Sequence, residues 1–180
     1  MPPTLRDRID ANVWNGSLDD VLEQVAKHAT VTRGQPVPDP KGLALSLLTT
    51  FPDDYVEFLR RSGSLRVEGD SENYGFGQLE VFGVQTLADA RRRFREECDG
   101  WTGNANWRQA SEPRYAQLQR AYREMVPVIQ FSDVMHQGVD CFGRDGRMHV
   151  VDIKSWQIEP DHGRTFTAQL LERLAGVIVR

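Results

Sequence analysis

The final third of the chain constrains the fold most. Three apolar segments, VPVIQF, VDCF and MHVVDI, follow one another with short polar connections, the last two joined by the turn Gly143-Arg144-Asp145-Gly146-Arg147. Segments of this length and spacing read as an antiparallel meander. WQIE is a fourth strand candidate, and Phe166, Leu170 and Leu174 then recur at helical spacing behind Thr165, which can cap a helix.

The first part of the chain carries helix signals instead. In FPDDYVEFLRRSG, Pro52 stands at the expected first helical position, Asp53 and Asp54 lie in the first turn, Arg60 and Arg61 in the last, and Gly63 just beyond. The predicted buried face is Tyr55, Phe58 and Leu59. Ser17 with Asp20 predicts another helix start, followed by Leu18, Val21, Leu22, Val25 and Ala29 on one face. Thr86 and Asp89 form a capping arrangement for a helix through ADARRRFREE to near Gly100, and Tyr115, Leu118, Tyr122 and Met125 share a side of a helix from Pro113 to Met125. Residues 30–50 open on Pro and Gly loop chemistry and continue into an apolar stretch that no pattern assigns. Leu65 and Val67, then Leu79 and Val81, alternate as strands around the loop GDSENYGFG.

Helices first, strands in the middle and a helix last imply an α+β fold, mainly an antiparallel sheet packed against helices and covered on one face. The 180 residues, 39% of them apolar, suit a single domain over residues 1–180. Apolar runs such as Gly42 to Leu48 are far below the roughly 20 residues of a membrane span. The start MPPTLRDRID lacks a secretory apolar region, so a cytoplasmic location is expected. Cys98 and Cys141 form no CxxC pair, which fits a reducing compartment and no structural zinc site. Residues 1–90 hold 14 acids and 8 bases, net −6, and residues 91–180 hold 12 acids and 14 bases, net +2. An acidic half suits a basic partner and argues against a nucleic-acid groove.

Several constellations invite a chemical reading. Asp133, His136, Asp140, Cys141, His149 and Asp152 contain the residue types of a thiolate nucleophile with its base and orienting acid. In a strand, however, neighbours face opposite sides, so Asp140 and Cys141 should not both point inward, and core thiols are inert. His28, His136, His149 and His162 are scattered over different elements and predict no metal site. YGFG lacks the lysine and serine of a phosphate loop. Arg91, Arg92, Arg93 and Arg95 are offset by Glu96, Glu97 and Asp99, the pattern of a solvated helix. Tyr74, Phe76, Trp101 and Trp107 lie outside any apolar period, in the polar surroundings that protein interfaces favour.

The order of these motifs, FPDDYVEFLRRSG, then VPVIQFSDVMHQGVDCFGRDGRMHVVDI, then TFTAQLLERL, resembles the SUKH superfamily of fungal cell-wall synthesis regulators and bacterial toxin-immunity proteins. The resemblance spans roughly residues 50 to 175. It departs from the family at Ser62-Gly63-Ser64, where Asn-Gly-Gly is common, and in the long stretch from Arg91 to Arg123; the first 50 residues match poorly and are expected to form a helical extension. It implies a protein-binding scaffold without catalytic residues or cofactors, acting on a partner protein, expected to be a toxin domain such as a nuclease. Contacts are expected at Glu68, Asp70, Glu72 and Tyr74 and at Asp133 and His136, where an acidic surface would speed encounter with a basic partner. Two alternatives remain: a regulatory module with a housekeeping partner, and a hydrolase using Cys141 or the histidines.

Overall fold

Short segments build the sheet, two of which, Leu65–Glu68 and Gln78–Val81, alternate between buried and more exposed side chains. The computed structural model describes residues 2–70, 77–102, 120–121, 123–132, 137–143, 146–152 and 164–179. These form a six-stranded sheet, β1 Thr30–Arg33, β2 Leu65–Glu68, β3 Gln78–Val81, β4 Val126–Ser132, β5 Gln137–Phe142 and β6 Met148–Asp152, ordered as in the chain. Every neighbouring pair is antiparallel. The meander expected from the last third is therefore present, extended by the earlier hairpin; WQIE and most of the segment 113–125 lie outside the described residues. Met125, buried, donates its backbone N–H to Ala121 O at 3.0 Å, the spacing of a helical turn.

Strand β1 corrects the loop assignment of residues 30–33. Its sequence, TVTR, has no alternation of its own, and it becomes a strand by lying in register with β2, Thr30 opposite Glu68 and Arg33 opposite Leu65. The unassigned apolar stretch folds as helix α3, Pro40–Ser46, where Asp39 caps by accepting the Gly42 N–H at 3.0 Å. Leu45 within it and Leu48 just beyond it stand 73% and 92% exposed.

The other helices follow local chemistry with small shifts. They are α1 Leu5–Arg8, α2 Leu18–Val25, α4 Asp53–Ser62, α5 Val84–Thr102 and α6 Phe166–Ala175. At α2, Ser17 Oγ accepts the Asp20 N–H while the Asp20 carboxylate accepts the Ser17 N–H, each at 3.2 Å. Ala29 falls beyond that helix. Pro52 is the cap residue of α4 and not its first helical position. Helix α5 begins two residues before Thr86, whose hydroxyl instead reaches back from inside the helix to accept the Gly83 N–H at 3.1 Å. Thr165 does cap α6, its hydroxyl accepting the Ala168 N–H at 3.2 Å.

Helices α4 and α6 and strand β5 meet in one aromatic cluster. Tyr55 of α4 lies 4.9 Å from Phe166 of α6 and 5.3 Å from Phe142 of β5, centroid to centroid, and Phe58 lies 5.3 Å from Phe166. Such offset ring pairs each add about 0.5–1.5 kcal/mol to the burial of their area. The Tyr55 hydroxyl donates to the Phe82 carbonyl at 2.7 Å and so ties α4 to the end of β3.

Gly63 ends α4 with φ of 66°, and a Cβ there would lie 1.8 Å from the Gln35 carbonyl oxygen. Both the backbone angle and the contact demand glycine, which explains the Gly in the turn after the Pro-led helix. Gly63→Ala is expected to destabilise the protein by at least about 2 kcal/mol, read as a lower urea midpoint at unchanged slope. A loss below about 0.5 kcal/mol would show that residues 34–37 yield freely.

Helices cover both faces of the sheet, where one covered face was expected. On one side α4 and α6 bury Phe142 and Asp140. On the other, α5 packs over β4 and β5, its Ala90, Arg93, Phe94 and Glu97 enclosing a cavity of about 150 Å³ with Gln130 and Val139. No helix among the described residues is long and apolar enough to cross a membrane.

Candidate partner-binding surface

Register determines which loops can act together. Across the sheet, Glu68 pairs with Gln78, Gln78 with Ser132, and Ser132 with Gln137. The β2–β3 connection and the β4–β5 connection therefore leave the sheet side by side at one end. Backbone bonds join them: the Gly69 N–H donates to Gly77 O and the Gly77 N–H to Ser132 O, both at 2.8 Å.

This end is braced by the last residues described. The Asp70 N–H donates to Ile178 O at 2.8 Å, the Leu5 N–H to Val177 O at 2.9 Å and the Val179 N–H to Pro3 O at 3.0 Å. Gly69 lets the Ile178 carbonyl approach, since a Cβ there would fall 1.8 Å from it. The segment after α6 thus supports the start of the β2–β3 connection.

Of the six residues expected to contact a partner, two are described. Glu68 is half-buried and pairs with Arg66, whose Nη2 lies 2.6 Å from its Oε1. Asp70 is 6% exposed, so it presents little surface to a partner. Glu72, Tyr74, Asp133 and His136 lie outside the described residues, between strand ends that the register places together. Next to this end, the sheet face opposite the aromatic cluster carries Arg66, Glu68, Gln78, Glu80 and Gln130, a polar strip in which Glu80 adds a second carboxylate.

The sheet separates Asp140 from Cys141, whereas Cys141 and His149 share a face. Cys141 and His149 are direct partners across β5 and β6. Cys141 is fully buried, with its Sγ 3.9 Å from Val139 O. Asp140 is fully buried as well, on the opposite face, contrary to the expectation that only one of the two neighbours would be inside. The reason is that both faces of β5 are covered. Arg173 grips the Asp140 carboxylate through two bonds of 2.9 Å, Gln169 donates to it at 3.1 Å, and the guanidinium lies 3.6 Å from the centre of the Phe131 ring. A polar stripe within an apolar helix face, Gln169 and Arg173 among Phe166, Leu170 and Leu174, is the signal by which sequence could have announced this buried network. Among the described residues no group of three or more His, Cys, Asp or Glu side chains could hold a metal ion.

No protein-family model matches the chain, and no curated protein matches it.

Proposed function

We propose that this chain is a protein-binding module that acts by stoichiometric occlusion of a partner, as an immunity protein of the SUKH type does with its toxin. The observation that carries the reading is the shared sheet end. Two connections, 69–77 with Asp70, Glu72, Tyr74 and Phe76 and 133–136 with Asp133 and His136, emerge next to one another, so residues distant in sequence can contribute to one contact surface. Aromatic anchors within a polar, acidic rim are the composition that gives binding energy and steers a basic partner. The interior position of Cys141, with Asp140 turned to the other face, weighs against nucleophilic catalysis there.

The test uses a basic toxin domain encoded beside this chain, or a partner recovered with it from its host. Charge reversal at Glu68, Glu72 and Asp133 together should slow association about tenfold or more at low salt, with dissociation changed far less. The difference should fade as ionic strength approaches 1 M, where screening acts within about 3 Å. Equal association rates for the reversed and native proteins would remove this surface from the interaction.

A further inference from the structure

We infer that the side of α5 against which α3 ends is a second docking surface, and that its occupant is an acidic amphipathic helix of a partner protein. Arg91 Nη1 donates to the Leu47 carbonyl, so the end of α3 lies against the middle of α5. On α5, Val84, Ala88, Arg91 and Arg95 recur at i, i+4, i+7 and i+11, a stripe bordering the buried Leu87, Ala90 and Phe94. The stripe is about 16 Å long, three helical turns. Val84 is 43% exposed, and α3 adds Leu45 and Leu48, joined in one turn by the Leu48 N–H donating to Leu45 O at 3.0 Å. Two helices thus offer exposed apolar side chains beside a guanidinium.

The charges select what covers them. Of the four arginines at 91, 92, 93 and 95, two are neutralised around the helix from the stripe: Arg92 pairs with Asp89 and Glu96, and Arg93 with Asp89. Arg91 and Arg95 form no ion pair among the described residues. Each donates once to a main-chain carbonyl, Arg91 to Leu47 O and Arg95 to Arg123 O, the latter at 3.0 Å. Asp99, a turn beyond Arg95, is held by Arg123 at 3.1 Å. Arg91 is half-buried, with Nε enclosed and lacking an acceptor. Burial, and after it the like charge of Arg95, holds its pKa below the ordinary guanidinium value, and no carboxylate opposes them. Its Nη2 makes no bond and is left for an anion. Guanidinium groups one turn apart, about 5–6 Å at Cβ, match two carboxylates one turn apart on an opposing helix. A membrane of negative lipids meets repulsion from a chain of net charge −4, whereas a short acidic segment meets this stripe alone.

Leu48 shows why the segment is amphipathic. Its φ of 53° lies in the left-handed region, where glycine and asparagine sit more easily than leucine, and its side chain is almost wholly in water. Folding gains nothing from leucine at this position, while a partner helix that buries it does.

The full chain and Leu48→Asn, which suits the left-handed backbone and should unfold at no lower temperature, are screened against a displayed library of helix-forming peptides. These carry leucines on one stripe and acidic, neutral or basic residues beside it. Peptides enriched on the native chain over Leu48→Asn should hold two Asp or Glu residues three or four apart and bind the native chain at least about tenfold tighter. Arg91→Gln, Arg95→Gln, and replacement of the peptide acids by Asn or Gln should each weaken binding about fivefold or more. If Arg91→Gln folds poorly, the other two changes decide the charge requirement. The proposal is overturned if no peptide prefers the native chain, if the preferred peptides lack acids, or if binding ignores the charge changes. Leu48-dependent retention on phosphatidylserine vesicles would overturn it in favour of a lipid surface, and Leu48-dependent dimerisation in favour of a second copy. Helix α5 starts beyond Val81, at the other end of β3 from Gln78, so charge reversal at Glu68, Glu72 and Asp133 should leave peptide binding unchanged. Failure of either surface leaves the other standing.

Discussion

Arg173→Met is expected to destabilise the protein by about 3–5 kcal/mol, the range for removing one partner of a buried ion pair. The Asp140 carboxylate has no exposure to water, and the bidentate guanidinium offsets its desolvation. The effect should be specific to charge. In Asp140→Leu combined with Arg173→Met the carboxylate is gone, so most of the stability should return, because an apolar replacement of a buried pair is often neutral or better. Urea unfolding followed by tryptophan fluorescence measures both. Additive losses in the double variant would mean that the Arg173 guanidinium over the Phe131 ring matters more than the pairing. Because α6 leads into the Val177–Val179 segment that accepts the Asp70 N–H, the single variant should also loosen the sheet end proposed as the contact surface.

Tyr55→Ala should be comparably severe, about 3–5 kcal/mol from the truncated ring and about 1–3 kcal/mol more from the Phe82 carbonyl left without its donor. A sum of that size approaches the whole stability of many domains, about 5–15 kcal/mol, so the variant is expected to be largely unfolded at 37 °C. Tyr55→Phe keeps the ring and isolates the hydroxyl, at about 1–3 kcal/mol. Burial raises the ionisation range of the Tyr55 hydroxyl far above that of a free tyrosine. A pKa raised in the folded state contributes stability that is present below the unfolded value, about 10, and is lost as pH climbs beyond it, because only the unfolded chain then ionises. Unfolding free energy measured from pH 8 to about 11 should therefore fall more steeply for the native protein than for Tyr55→Phe. Parallel curves would show that the hydroxyl ionises without unfolding.

How much of this was legible beforehand differs element by element. Helices α2, α4 and α6 were readable because their caps and apolar stripes lie within a few consecutive residues. Strands β2 and β3 were readable from alternation, and β4 to β6 from short apolar runs and turn residues. Strand β1 was not, since TVTR contains no pattern that its partner does not impose. Helix α3 escaped although Asp39 and Pro40 are a sound cap and first-turn pair, because the surrounding prolines and glycines suggested loop. Of the expected contact residues, the acidic character of Glu68 was legible, whereas the burial of Asp70 and its backbone bond to Ile178, more than a hundred residues away in the chain, were not.

By itself the sequence determined the kind of fold, an antiparallel sheet with helices against it, because backbone propensity, capping and side-chain period act over a few residues. Tertiary structure alone decided that both faces of β5 are covered, that Asp140 meets Arg173, and that two separate connections share one end of the sheet. Those outcomes depend on register and on contacts between distant segments, which local chemistry does not encode position by position.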